Sequence, residues 1–99
     1  MSVAVSEKNG VVTISLHGDL VFKEHRAFRD AYKHRPSNIC YVVDFKHTRH
    51  IDSSALGMLL MLKEHNGNPA KDRIKLVNCN VQIYKIFEIA QFSEIFIIE

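Results

Sequence analysis

The 99-residue chain, with 46% apolar and 24% charged residues, suits one globular domain able to bury a modest core without a metal or a disulfide framework. Its net charge of +2, with both signs mixed along the chain, excludes the strongly basic class that holds nucleic acid by charge. Two cysteines, Cys40 and Cys79, give no disulfide framework, and nothing points to an oxidising compartment.

In chain order, "SVAVSE" alternates as a short strand and Asn9-Gly10 is a hairpin signal. "VVTISLHG" then alternates clearly. Val12, Ile14 and Leu16 share one face; Val11, Thr13, Ser15 and His17 share the other. "KEHRAFRDAYKHR" predicts an amphipathic helix from Lys23 to His34, with Phe28, Ala31 and Tyr32 as its apolar stripe and Pro36 as its stop. From Ile39 to Val43 the chain is continuously apolar, which predicts a central strand buried on both faces, with Cys40 as a small core residue and Asp44 ending the run. "KHTRH" reads as a polar loop.

Ser54 to His65 predicts a second helix, with Asp52 or Ser53 as its N-cap. Its first two turns, "ALGMLLML", leave almost no polar face. "RIKLVNC" predicts a strand with Ile74 and Leu76 on one face. "VQIYKIFEIA" predicts a third helix, with Ile83, Ile86, Phe87 and Ala90 at helical spacing, and "EIFIIE" suits a last short strand. The order β-β-α-β-α-β-α-(β) predicts an α/β fold. It would be a mixed four- or five-stranded sheet with an N-terminal antiparallel hairpin and three or so helices mainly on one face.

Catalytic and metal patterns are weak. His47 and His50 are three apart in a loop, with no third ligand fixed by sequence, so neither a metal nor a cofactor is expected. "DSSALG" is not the Gly-x-Ser-x-Gly of a serine hydrolase, and the glycines at 10, 18, 57 and 67 form no phosphate loop. An enzyme is therefore not expected; a small hydrolase using Ser53 is the rival reading. No apolar run approaches the roughly 18 residues of a membrane span, and the N-terminus has no signal-peptide pattern, so the expected location is the cytoplasm.

The stretch "HIDSSALGMLL" is different. A sheet with helices mainly on one face cannot bury every side of an all-apolar helix. Some of Leu56, Met58, Leu59, Leu60, Met61 and Leu62 should therefore reach the surface as a docking patch. A helix N-terminus also favours a phosphate, so a serine there is a candidate for modification.

Three features together resemble the STAS-domain family. They are the apolar strand closed by Asp44, "IDSSALGMLL" opening the next helix, and the element order. The resemblance is to stand-alone bacterial anti-sigma factor antagonists and covers nearly the whole chain, so residues 1–99 are expected to form a single STAS domain. "HGDLVFKEHRAFRDAY" and "LVNCNVQIYKIFEIAQF" look like short gammaproteobacterial members that work with a response-regulator-linked phosphatase. The resemblance implies partner switching. The unphosphorylated form binds an anti-sigma factor or switch kinase, and that kinase phosphorylates the serine after the motif aspartate. A metal-dependent serine/threonine phosphatase reverses the reaction. That serine is Ser53 here, with Ser54 the second choice; Asp52, Ser54, Leu56, Met58, Leu59 and, ranked low, Asp19 are the implied partner contacts. ATP and the catalytic base would belong to the partner, and the chain would be a monomer when free. One departure is Val21, where many relatives carry an aspartate. The alternative is a STAS scaffold with no live phosphosite, in a lipid, transport or stressosome-type complex or in control of a diguanylate cyclase.

Overall fold

The computed structural model describes residues 2–99. Strands β1 (Ser2–Lys8) and β2 (Val11–His17) form the expected hairpin. Its turn places Asn9 and Gly10 at φ 54° and 79°, the pair of positive values that a two-residue hairpin turn requires. β3 (Cys40–His47), β4 (Ile74–Val77) and β5 (Ile97–Ile98) then add in parallel, giving a five-stranded sheet in the order β1-β2-β3-β4-β5. Because each crossover advances one strand in the same direction, crossovers of one hand put all their helices on one face. Helices α1 (His25–Asp30), α2 (Ser53–His65) and α3 (Val81–Ile89) are those crossovers.

The covered face is the core. Val12, Ile14, Leu16, Tyr41, Val43, Phe45, Ile74 and Leu76 are buried there in strict alternation. Against them pack Phe28 and Tyr32, the α2 positions Ala55, Met58, Leu59 and Leu62, and Ile83 and Phe87 of α3. An aromatic chain closes the far end: Phe45 meets Phe87 edge-on at 5.6 Å, Phe87 stacks on Phe92 at 5.6 Å, and Phe92 meets Phe96 at 5.3 Å.

Four expectations change. β3 is central but not buried on both faces: Cys40, Val42 and Asp44 are only half-buried, because no helix covers their side. Cys40 is thus not a core residue; it lies half-buried, with Arg73 Nη1 donating to its Sγ at 3.2 Å. Lys46 and His47 belong to β3 rather than to the loop that follows. The helix expected over Lys23–His34 is a 3₁₀ turn (Phe22–Glu24), a short α1, and then turns. Neither start has a side-chain cap, and the exit tightens through i→i−3 bonds such as Arg35 N to Tyr32 O at 2.9 Å. A run rich in His, Phe, Tyr and Asp has little intrinsic helicity to resist that.

Candidate functional site

Where parallel strands end, their loops gather at one edge of the sheet, the usual place for a site in an open α/β sheet. Here the edge is laced together. Gly18 N donates to His47 O at 3.1 Å, Leu20 N to His50 O at 3.3 Å, and Asp52 N to Leu20 O at 3.4 Å. Buried Thr48 donates its hydroxyl to Gly18 O at 2.9 Å, and His50 N donates to Asp19 Oδ1 at 3.2 Å. From the third loop, Asn80 donates to Arg49 O at 3.0 Å while capping α3 through Ile83 N at 2.9 Å. Asp19 therefore fastens two loops and does not project alone.

Asp52 is the hub. Its extended backbone makes it the N-cap of α2, and its Oδ1 accepts from Ser54 N at 3.0 Å and Ala55 N at 3.3 Å. The Ser54 hydroxyl donates to the same oxygen, and Oδ2 accepts from Phe22 N at 3.1 Å. These bonds, the Ser54 hydroxyl foremost, hold the carboxyl below its ordinary value against some opposition from burial. A group with a lowered folded-state pKa stabilises the fold above its unfolded value, near 3.9, and loses that contribution as pH falls through the lower folded value. Asp52→Asn, which still caps but does not titrate, is expected to narrow its stability gap to the wild type below about pH 4. Urea unfolding followed by circular dichroism across pH 3–6 checks this; a gap that does not change with pH would refute it.

The two serines are unequal. Ser53 is the first residue of α2, exposed, and its hydroxyl has no hydrogen-bond partner among the described residues. Ser54 is half-buried and tied to Asp52. Asp52, not Ser53, is the cap.

Ser53, Gly57, Leu60 and Glu64 run down the outer face of α2 at helical spacing, flanked by Met61 and half-buried Leu56. Leu60 and Met61 are 43% and 52% exposed, and Phe22, whose N–H meets Asp52, is 67% exposed. The expected contacts Met58 and Leu59 are corrected here: at 5% and 0% exposure they face the sheet, so they are core. Sequence reading missed Phe22 as a docking candidate. Its signal was only a large apolar residue just before a helix that seemed to begin later.

Other chemistry is thin. Burial, reinforced by Asp44, pushes the Cys79 thiol up to about 12, so it is a neutral thiol and no nucleophile. His17 stacks on His47 at 4.9 Å, but among the described residues no group of three His, Cys, Asp or Glu converges as a metal site. No helix among them is long and apolar enough to cross a membrane.

Comparison with known proteins agrees with this fold. A family model described as "Mlab, STAS domain" matches residues 3–99. A STAS-domain containing protein of Pseudomonas aeruginosa (strain UCBPP-PA14) is 41% identical over 88 residues, covering 86% of this chain and 84% of that one. Two solved anti-sigma factor antagonists share the fold. The one from Mycobacterium paratuberculosis has a TM-score of 0.75 at 16% identity, covering 98% of this chain and 83% of that one. SpoIIAA in its unphosphorylated form has a TM-score of 0.69 at 18% identity, covering 99% and 87%. The Bacillus SpoIIAA in its phosphorylated form has a TM-score of 0.65 at 16% identity, covering 99% and 91%.

Proposed function

The chain belongs to the STAS-domain family, and on that premise we propose that it is a single-domain anti-sigma factor antagonist working by partner switching in the cytoplasm. The observation that carries this reading is the free, exposed Ser53 hydroxyl at the start of α2, on the helix face that also carries exposed Leu60, with exposed Phe22 tied through its N–H to the neighbouring Asp52. A partner kinase would supply ATP and a base. The Ser53 oxygen would attack the γ-phosphorus, the ADP oxygen would leave, and the hydroxyl proton would pass to the partner's base. This chain is then substrate rather than enzyme. A metal-dependent serine phosphatase would return the phosphoryl group to water. Fold relatives named SpoIIAA are solved in an unphosphorylated and in a phosphorylated form, which supports a phosphosite on this scaffold.

The geometry also favours Ser53 over Ser54. Phosphorylating Ser54 would first break its bond to Asp52 and expose a half-buried oxygen. The test is mass spectrometry of the chain incubated with its co-purified kinase and ATP. Phosphate on Ser53 alone is expected; phosphate only on Ser54, or on neither, would overturn the assignment.

Gly57 lies one turn beyond Ser53 and is exposed within α2, where glycine costs helix stability. A Cβ there would meet nothing within 4 Å, so no internal packing calls for glycine. It keeps the surface beside Ser53 flat for a docked partner. Gly57→Ala is expected to raise stability by about 0.5–1 kcal/mol. The added methyl should weaken partner binding about tenfold, as overpacking an interface does. Urea unfolding and calorimetry on one preparation check both; unchanged binding would remove Gly57 from the docking face.

A further inference from the structure

The charge of the molecule is unevenly placed. Residues 22–35 hold five basic residues, Lys23, Arg26, Arg29, Lys33 and Arg35, against two acids, Glu24 and Asp30, so this segment is +3 in a chain of +2. Arg35 is taken by Glu7 at 3.2 Å and Lys33 by Asp30 at 2.8 Å. Arg26 and Arg29 are exposed and form no ion pair among the described residues, although Lys33 and, less strongly, Arg26 hold the Asp30 carboxyl below its ordinary value. They line a recess of about 380 Å³ along the outer face of α1. Arg29 also borders a second recess of about 290 Å³ between α1 and α2, walled by Tyr32, Met61, Glu64 and His65. The two adjoin at Arg29, so that together they form a groove with a cationic rim on the α1 side and half-exposed Met61 on the α2 side.

We propose that this α1–α2 groove is a second docking surface, and that its occupant is an acidic amphipathic helix of a partner protein. Unpaired guanidinium groups are fork-shaped donors suited to carboxylates. The site is a recess with one exposed apolar side chain, Met61, so it suits a narrow element such as a helix better than a flat bilayer. Duplex DNA would engage many more cations than the two arginines that line this groove. Glu64, on the α2 wall, sets polarity: acids of the occupant belong on the α1 side and its apolar residues against Met61. The surface meets the Ser53 face only at Met61 and Glu64, near the opposite end of α2 from Ser53, so a partner could stay attached there while the phosphosite changes state.

The experiment uses the full chain, ¹⁵N-labelled, titrated with a synthetic helical peptide bearing glutamates on one side and leucines on the other. A scrambled peptide of the same composition, anionic phosphatidylserine vesicles and duplex DNA are parallel arms. Saturable shifts at Arg26, Arg29, Met61 and Glu64 are expected from the amphipathic peptide alone. The double variant Arg26→Glu/Arg29→Glu should weaken binding about tenfold or more, and added salt should weaken it too. Met61→Ala should weaken it less. Ser53→Asp should leave it unchanged, which separates this surface from the phosphoserine reading. Shifts confined to Phe22 and Ser53, equal binding of the scrambled peptide, no saturable shift, or preferential binding of vesicles or DNA would each overturn the proposal.

Discussion

Ser53→Asp is expected to weaken binding of the native partner roughly 100-fold, while Ser53→Ala binds as the unmodified chain does. Burying an unpaired charge, or placing it against a like charge, costs several kcal/mol, and 100-fold is about 2.7 kcal/mol. Both costs apply at this position. Asp52 stands next to Ser53 with its pKa held low by the Ser54 hydroxyl and three backbone N–H groups, so it is ionised at neutral pH. A carboxylate at Ser53 adds to that charge instead of replacing it. It also sits exposed at the start of α2, on the surface a partner would dry. A phosphate, at about −1.5 to −2, would act more strongly than aspartate. The fold has no reason to respond. The Ser53 hydroxyl has no hydrogen-bond partner among the described residues, and an acid in the first turn suits the helix dipole. Titration calorimetry of the three chains against the co-purified partner, with circular dichroism to show an intact fold, is the check. Binding of Ser53→Asp within twofold of the wild type would leave no charge switch at this serine.

The architecture was legible because each element carries one dominant period. β2 alternates strictly, α3 places Ile83 and Phe87 a turn apart, and Asn9-Gly10 has one economical turn. Legibility failed where the deciding contact is remote. An apolar run such as Ile39–Val43 reads the same whether one or two faces are covered; only the same-direction advance of every crossover leaves the second face open. The length of α1 failed for a different reason. Its stripe of Phe28 and Tyr32 is satisfied equally by a helix or by a helix ending in tight turns. At the site, the motif pointed to Ser53 and Asp52, but not to what separates the two serines. That is the Ser54 hydroxyl bond to Asp52, together with the link from Phe22 N–H across thirty residues of chain. Nor does sequence announce Asn66, buried at the end of α2. Its side chain exchanges two 2.7 Å hydrogen bonds with the backbone of Ile39 and ties the helix to the start of β3.

The α2 run itself contains the sharpest division, between adjacent leucines. Leu59→Ala is expected to destabilise the fold by about 3 kcal/mol, within the range for emptying a packed leucine site. Leu59 is fully buried, in line with Ala55 and Leu62 against the sheet, and tightly packed neighbours close such a cavity only in part. Leu60→Ala, one residue on and 43% exposed, should change stability by no more than about 0.5 kcal/mol. The order should reverse for the partner. Leu60, at helical spacing from Ser53 and Gly57, presents apolar surface that docking would bury, so its truncation should weaken binding several-fold. Leu59→Ala, assayed where it is still folded, should bind nearly as the wild type does, because its side chain points away from the partner. Urea unfolding and calorimetry on both variants give a crossed pattern under this geometry and a parallel one if the helix face is misassigned. Parallel losses would mean that the apolar run is core throughout, and that Ser53 stands at the edge of a surface with no apolar contact to offer.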